Sequence, residues 1–229
     1  MDNSLLKLYL EAGCDSFYSN KPISRLLSKS SVDELDSCNN ILKLREIIEN
    51  YDGCELKKFS TNTVIYDGAL DARVMAIGEA PGAEEDATGI PFCGRSGKLL
   101  DAIFRCFSLY RETNLFITNT VFWRPPNNRR PTEIEVLKCR PFLEKLIAII
   151  SPSLIIMVGS TAVEVLMQQL ITMQQARKQK FSYRNKYLQN EIDAVAVFHP
   201  SYLLRQPTRK RDMWKDMIKI KMDYLDNMI

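Results

Sequence analysis

One histidine, nine glycines and two tryptophans in 229 residues set the first limits on this chain. A lone imidazole argues against a multi-histidine metal centre. The six cysteines (Cys14, Cys38, Cys54, Cys93, Cys106 and Cys139) lie far apart and form no C-x-x-C pair. Scattered buried thiols are therefore expected rather than a disulfide framework or a zinc site. Nine glycines and ten prolines are too few for collagen or low-complexity disorder, while 45% hydrophobic residues suffice for a sizeable core. No apolar run reaches the length of a membrane span; the most apolar stretch, Leu146 to Val158, is interrupted by Ser151, Pro152 and Ser153. Asp2 stands where a signal peptide carries positive charge, so a cytoplasmic protein is expected, with no membrane partner. The net charge of +3 is too mild to imply a nucleic-acid partner by itself. Two phosphate motifs and one hydrolase motif are also missing. No G-x-G-x-x-G follows a strand and no G-x-S-x-G elbow is present. Gly94 to Leu99 echoes a P-loop tail, but its spacing is wrong and Leu99 replaces the metal-binding hydroxyl.

What the chain does have is a rhythm. Four β-rich apolar runs, Arg73–Gly78, Leu115–Val121, Leu154–Gly159 and Val195–Phe198, start about 40 residues apart, and a helical pattern fills each gap. Strand and helix alternating at that spacing predict βαβ units, hence an α/β sandwich around a parallel sheet. Thr132 and Glu135 form a T-x-x-E capping box, which predicts a helix from Glu133 towards Ile150, kinked at Pro141. Thr208 is expected to cap a last helix with Met213, Met217, Ile220 and Tyr224 on its apolar face and Arg211, Lys215 and Lys219 in a basic stripe. Asp33 to Tyr51 predicts an amphipathic helix through Leu35, Ile41, Leu42, Leu44, Ile47 and Ile48. Leu5 to Leu10 opens the chain, and Asn20 to Ser31 reads as a linker or exposed loop. Residues 1–49 form a helical extension in this reading, and residues 50–229 the α/β domain.

Polar residues follow each predicted strand: Glu79 after the first, Asn119 within the second, Gly159-Ser160-Thr161 after the third, His199 after the fourth. Ligands in open α/β sheets bind outside the carboxyl ends of the strands, so Glu79, Asn119 and His199 converge by topology. Each alone is more simply a cap or a turn residue; three caps choosing the same edge is the less economical account. Phe92 sits in the long loop from Ala80 to Gly97, where it can either stack on a flat ligand or plug the core. Arg124, Arg129 and Arg130 crowd one loop, and seven Lys/Arg against two Asp lie between Arg205 and Lys221. Both segments would suit a phosphate backbone or a solvated surface.

Several of these segments, in order, carry a resemblance: Gly78-Glu79-Ala80-Pro81-Gly82-Ala83-Glu84-Glu85-Asp86, Gly89-Ile90-Pro91-Phe92, Thr118-Asn119, Arg124-Pro125-Pro126-Asn127-Asn128-Arg129 and His199-Pro200-Ser201-Tyr202-Leu203-Leu204-Arg205. Together they resemble the type-4 uracil-DNA glycosylases over roughly residues 50 to 220. The resemblance implies a three-layer α/β/α sandwich around a short, mainly parallel four-stranded sheet. It also implies excision of uracil from single- or double-stranded DNA, leaving an abasic site. In that scheme Phe92 stacks on the base, Asn119 reads its edge, and backbone N–H groups around Ala80 support the ring. Glu85 crowds the C5 edge against thymine. Glu79 orients water, and His199 stabilises the leaving uracil anion. Arg124, Ser201, Leu203, Leu204 and Arg205 contact DNA, the two leucines by entering the minor groove.

The chain departs from the family at its metal centre. Typical members hold a 4Fe-4S cluster on four cysteines, of which only Cys54 and Cys139 remain; Tyr51 and Trp123 occupy the other two positions. No cluster is expected, because a cubane generally needs four ligands and no spacing supports Cys14, Cys38 or Cys106 as substitutes. A second departure is Arg177-Lys178-Gln179-Lys180-Phe181, which lacks the family's glycine. The competing reading is a catalytically silent DNA-binding or polymerase-accessory module on the same fold. A monomer is the simplest assembly for either.

Overall fold

In the computed structural model, which describes residues 34–227, six strands form one sheet. They are β1 (Tyr66–Gly68), β2 (Val74–Gly78), β3 (Leu115–Asn119), β4 (Leu154–Val158), β5 (Phe181–Tyr183) and β6 (Ile192–Val197), in the order β1-β3-β2-β4-β6-β5. The four central strands are parallel, and β1 and β5 close the edges antiparallel. The expected four-stranded sheet is thus corrected to six. The two extra strands are three residues each, too short to carry a period-2 pattern.

Alternation along the central strands builds two cores. Met75, Ile77, Phe116, Ile155, Met157, Ala194 and Ala196 point to one face, where they meet α1 (Ile41–Asn50), a long helix at Glu133–Ile150 and a shorter one at Ser160–Met167. Val74, Ala76, Ile117, Ile156, Val158, Val195 and Val197 point to the other, against helices at Arg95–Arg105, Pro200–Arg205 and Lys210–Asp223. Counting Ala83–Thr88 as α2 and Met173–Ala176 as α6, these helices are α3 (Arg95–Arg105), α4 (Glu133–Ile150), α5 (Ser160–Met167), α7 (Pro200–Arg205) and α8 (Lys210–Asp223). Strands buried on both faces read as continuous apolar runs, which is why they were legible. Among the described residues no helix is long and apolar enough to cross a membrane.

Helix α4 begins as its sequence predicts: Thr132 Oγ1 accepts from the Glu135 N–H at 3.3 Å, and Glu135 returns the bond to the Thr132 N–H at 2.7 Å. Pro141 lies inside the helix without ending it. The last helix differs from expectation. Its N-cap is Arg209, because the chain enters through a 3-10 turn at Pro207–Arg209 that already has helical backbone, and Thr208 falls too early to cap. Met213, Met217, Ile220 and Tyr224 are buried as their spacing requires, and Arg211, Lys215 and Lys219 are exposed. The predicted helix over 33–51 is broken at 38–40, where the Asn40 side chain caps α1 by accepting from Leu42 and Lys43. Leu42 therefore faces solvent at 68% exposure, while Leu35, Ile41, Leu44, Ile47 and Ile48 join the first core. The opening Leu5–Leu10 segment, the Asn20–Ser31 linker and Cys14 lie outside the described residues.

Three of the five described cysteines are buried thiols; Cys93 is partly exposed and Cys106 exposed. Cys54 and Cys139 are buried close to each other in the first core, which Trp123 shares and against which Tyr51 packs. Burial holds the Cys139 thiol well above its ordinary pKa. Tyr51 packs on Phe142 at 4.9 Å between ring centroids, and Trp123 is fully buried with its indole N–H donated to Thr63 Oγ1 at 3.0 Å. Gly53 makes the arrangement possible, since a methyl group there would lie 2.2 Å from the Tyr51 hydroxyl. Two thiols walled in by two aromatic rings do not fit a four-iron cluster. Among the described residues no group of three His, Cys, Asp or Glu side chains is arranged to hold a metal ion. Trp123→Ala is expected to destabilise the fold by about 3–5 kcal/mol, read from the urea midpoint at unchanged slope. A loss below about 1 kcal/mol would show that the rings fill no essential space.

Candidate active site

The parallel register sets the site. Gly78, the last residue of β2, pairs with Asn119 at the end of β3, so Glu79 emerges beside the Asn119 amide. Val158 pairs with Val197, and the Gly159 N–H bonds the Val197 carbonyl at 2.9 Å, so His199 emerges beside Gly159. Glu79, Asn119 and His199 therefore line one cavity of about 1040 Å³, together with Ala80, Glu85, Phe92, Ser201 and Arg205. Three predicted site residues do not line it: Arg124, Leu203 and Leu204.

Glycines clear the space for the larger groups. A methyl group on Gly78 would lie 2.3 Å from the Phe92 ring and 2.5 Å from Asn119 Oδ1. On Gly159 (φ 96°) it would lie 3.0 Å from His199 Cβ. Phe92 itself has φ 53°, and its ring centroid is 5.8 Å from that of His199. At 5% exposure it is both a member of the second core and a wall of the cavity. The plug and platform readings thus describe the two sides of one ring. The Gly94–Leu99 segment that echoes a P-loop instead opens α3 and places Gly97 under the Phe92 carbonyl.

Each polar group is held from behind. Glu79 Oε2 accepts the Thr161 hydroxyl at 2.5 Å, and the Glu79 carbonyl accepts the Thr120 hydroxyl at 2.6 Å. Thr161 and Thr120 were not singled out in the sequence as supports; their position next to strand ends was the available signal. Glu85 accepts the Gly82 N–H with Oε2 and the Gly94 N–H with Oε1, both at 3.0 Å, which ties two loop segments into a rigid wall. Asn119 is 2% exposed and makes no side-chain hydrogen bond among the described residues, so its amide is available to a ligand in the cavity.

His199 is a neutral donor. Its Nδ1 accepts the Ser201 backbone N–H at 3.2 Å and lies 2.8 Å from Ser201 Oγ. A nitrogen that accepts an N–H carries no proton, so the neutral ring bears its hydrogen on Nε2. Burial, helped by the positive charge of Arg205 and opposed by Glu85, pulls the His199 pKa down to about 4.

One DNA-contact expectation is corrected here. Leu203 is fully buried in the second core, on the side of α7 that packs against α3, and is not free to enter a groove. Leu204 is partly exposed, and Arg205 is exposed and lines the cavity. Arg129 makes a two-pronged ion pair with Glu135 (2.6 and 2.8 Å), and Arg130 pairs with Glu164. Those two charges are largely spent within the protein. Arg124 bonds only the Asn128 amide (2.7 Å), and Arg205, Arg211, Lys215 and Lys219 have no ion pair among the described residues. The segment lacking the family's glycine continues from α6 into β5. Its Arg177 bonds Asp216 at 2.5 and 2.9 Å and stacks 4.0 Å from the centre of the Phe198 ring, next to His199.

A carboxylate, an unpartnered amide, an aromatic ring and a neutral imidazole at the carboxyl ends of parallel strands define a pocket for a flat, hydrogen-bonding ring. Comparison with known proteins agrees. Residues 65–219 match the uracil DNA glycosylase superfamily. The type-4 uracil-DNA glycosylase of Pyrobaculum aerophilum is 37% identical over 183 residues, covering 78% of this chain and 91% of that protein. That of Thermotoga maritima is 38% identical over 184 residues, covering 77% and 90%. A segment amounting to 17% of a DNA polymerase of Bacillus phage SP01 is 24% identical over 162 residues. The chain belongs to the uracil DNA glycosylase superfamily, and within it to the type-4 family.

Because the chain has a single histidine, its imidazole resonances in an NMR titration need no assignment. A midpoint near pH 4 is expected, against about 6.5 for a free histidine. The unfolded chain binds this proton as the pH falls below about 6.5 while the folded chain refuses it until about pH 4. The stabilising contribution is therefore fully present above that window and is lost on descending through it. A midpoint of about 6 or higher would show that burial does not hold the imidazole neutral.

Proposed function

We propose that this protein excises uracil from DNA by hydrolysing the N-glycosidic bond and leaving an abasic site. The observation that carries the reading is the meeting of Glu79, Phe92, Asn119 and His199 in one cavity. A binding module has no use for all four. The cavity is larger than one base and open, so a nucleotide turned out of the helix fits with its sugar and flanking phosphates at the rim.

The chemistry follows from the groups. Phe92 stacks on the uracil ring. The Asn119 amide accepts from N3–H and donates to O4; cytosine presents the reverse pattern and leaves both buried groups unpaired. Glu85, immobilised by two backbone N–H groups, walls the C5 edge where thymine carries its methyl group. As the glycosidic bond lengthens, the sugar takes on oxocarbenium character and negative charge grows on the base. The His199 Nε2–H meets that charge at O2, and a neutral donor does so without protonating the leaving group. Glu79 has Oε2 engaged by Thr161 and the other oxygen left to orient water and face the cationic sugar. The exposed cations of α7 and α8 suit phosphates, with Arg124 at the loop opposite. The enzyme acts as a monomer on single- or double-stranded DNA in the cytoplasm, and it does so without an iron–sulfur cluster. The ring pair at Tyr51 and Trp123 supports that last point.

Base release from an oligonucleotide with one uracil, followed by alkali and a sizing gel, tests the activity. A uracil-dependent nick absent from the thymine control is expected. His199→Ala should slow single-turnover release by about 100-fold or more with little change in DNA affinity. Binding without release by the unaltered protein would favour the polymerase-accessory reading instead. The cluster is tested separately: purified anaerobically, the active protein should be colourless and iron-free. Stoichiometric iron with a broad visible absorption would overturn that part alone.

A further inference from the structure

Arg111 lies between α3 and β3, outside the cavity lining, yet its side chain is only 14% exposed and its hydrogen bonds converge on one loop. Nε donates to Asp101 Oδ1 at 2.9 Å and Nη1 to Asp67 Oδ2 at 2.9 Å. Nη1 also donates to the Pro91 carbonyl at 2.7 Å, and Nη2 to the Phe92 carbonyl at 2.8 Å. Two carboxylates thus orient the fork, and the fork grips the two successive carbonyls that carry the Phe92 ring.

That grip matters because Phe92 does not rest in a relaxed conformation. Its φ of 53° lies in the left-handed region, which a bulky side chain adopts only when its surroundings impose it. From the other side Gly97 presses on the same peptide; a methyl group there would lie 1.6 Å from the Phe92 carbonyl oxygen. Held between Gly97 and Arg111, the backbone has one way to aim the ring over Gly78 and beside His199. Lysine would not replace the fork, because a single ammonium cannot span two carbonyls and two carboxylates in one plane.

We propose that Arg111 is the positioning residue of the base pocket: it acts through the Phe92 backbone to hold the ring where an extruded base stacks. The proposal rests on the reading of Phe92 as the stacking ring. Arg111 touches neither substrate nor the reacting atoms, so it governs base capture rather than bond cleavage.

A double-mutant cycle with Arg111→Lys and Phe92→Leu tests it, read by two quantities. One is kcat/KM for release from a uracil oligonucleotide; the other is the inhibition constant of free uracil, which probes the pocket without DNA. Arg111→Lys is expected to weaken both by about tenfold, the size of a lost stacking interaction, with kcat changed much less. In the Phe92→Leu background the same substitution should change them less than about twofold, because the ring it positions is gone. Equal losses in both backgrounds, or no loss in the first, overturn the proposal. Phe92→Leu with an unaltered inhibition constant refutes the stacking reading itself and the proposal with it. Should Arg111→Lys fail to fold, Asp101→Asn loosens one side of the fork and must weaken uracil inhibition in the same direction; an unchanged constant overturns the proposal.

Discussion

The close approach at Gly78 is the constraint on which the site depends. The Phe92 ring and the Asn119 amide both occupy the space that any other residue's Cβ would fill. Because Gly78 and Asn119 are register partners, the same residue that ends β2 fixes the distance between the ring and the recognising amide. A flat base needs both at once, one on its face and one on its edge. The parallel sheet supplies this pairing because its strands end together, and Gly159 repeats the device for His199 one strand pair away. Local backbone chemistry and sheet topology thus agree on one small volume.

Much of this was legible in the sequence for a physical reason. The central strands are apolar on both faces, so they stood out as runs, and the polar residues just beyond them could be placed on one edge. The capping box at Thr132 and Glu135 was equally readable because it acts over three residues. What escaped was whatever depends on distant partners. Arg129 and Arg130 suited either a phosphate backbone or a solvated surface, and their pairing with Glu135 and Glu164, the latter 34 residues from Arg130, is not readable from their own segment. Leu203 and Leu204 are neighbours in the chain, and only the packing of α7 on α3 decides which is buried. Tyr66–Gly68 and Phe181–Tyr183 are strands only because β3 and β6 offer free edges. Thr161 and Arg111 matter through the atoms that they hold, which no spacing reveals.

Around Tyr51 and Trp123 the chain is held together by apolar packing. Four thiolates around a metal would tie local folding to pH and to metal supply. Buried aromatic rings with a satisfied indole N–H give cohesion of a different temperature dependence, weakening on cooling as apolar burial does. Here that cohesion joins α1 and α4 on the face of the sheet away from α3, α7 and α8, and the same core carries α5, whose Thr161 holds Glu79.

Strand β1 is three residues long and paired on one side only, which puts it among the parts of a fold that open most readily to solvent. Its middle residue, Asp67, is one of the two carboxylates that orient Arg111. The sheet margin is therefore not isolated from the pocket: an opening of Tyr66–Gly68 would take away one of the two carboxylates that orient the fork. A three-residue edge strand and the backbone that carries Phe92 are thus joined through one guanidinium.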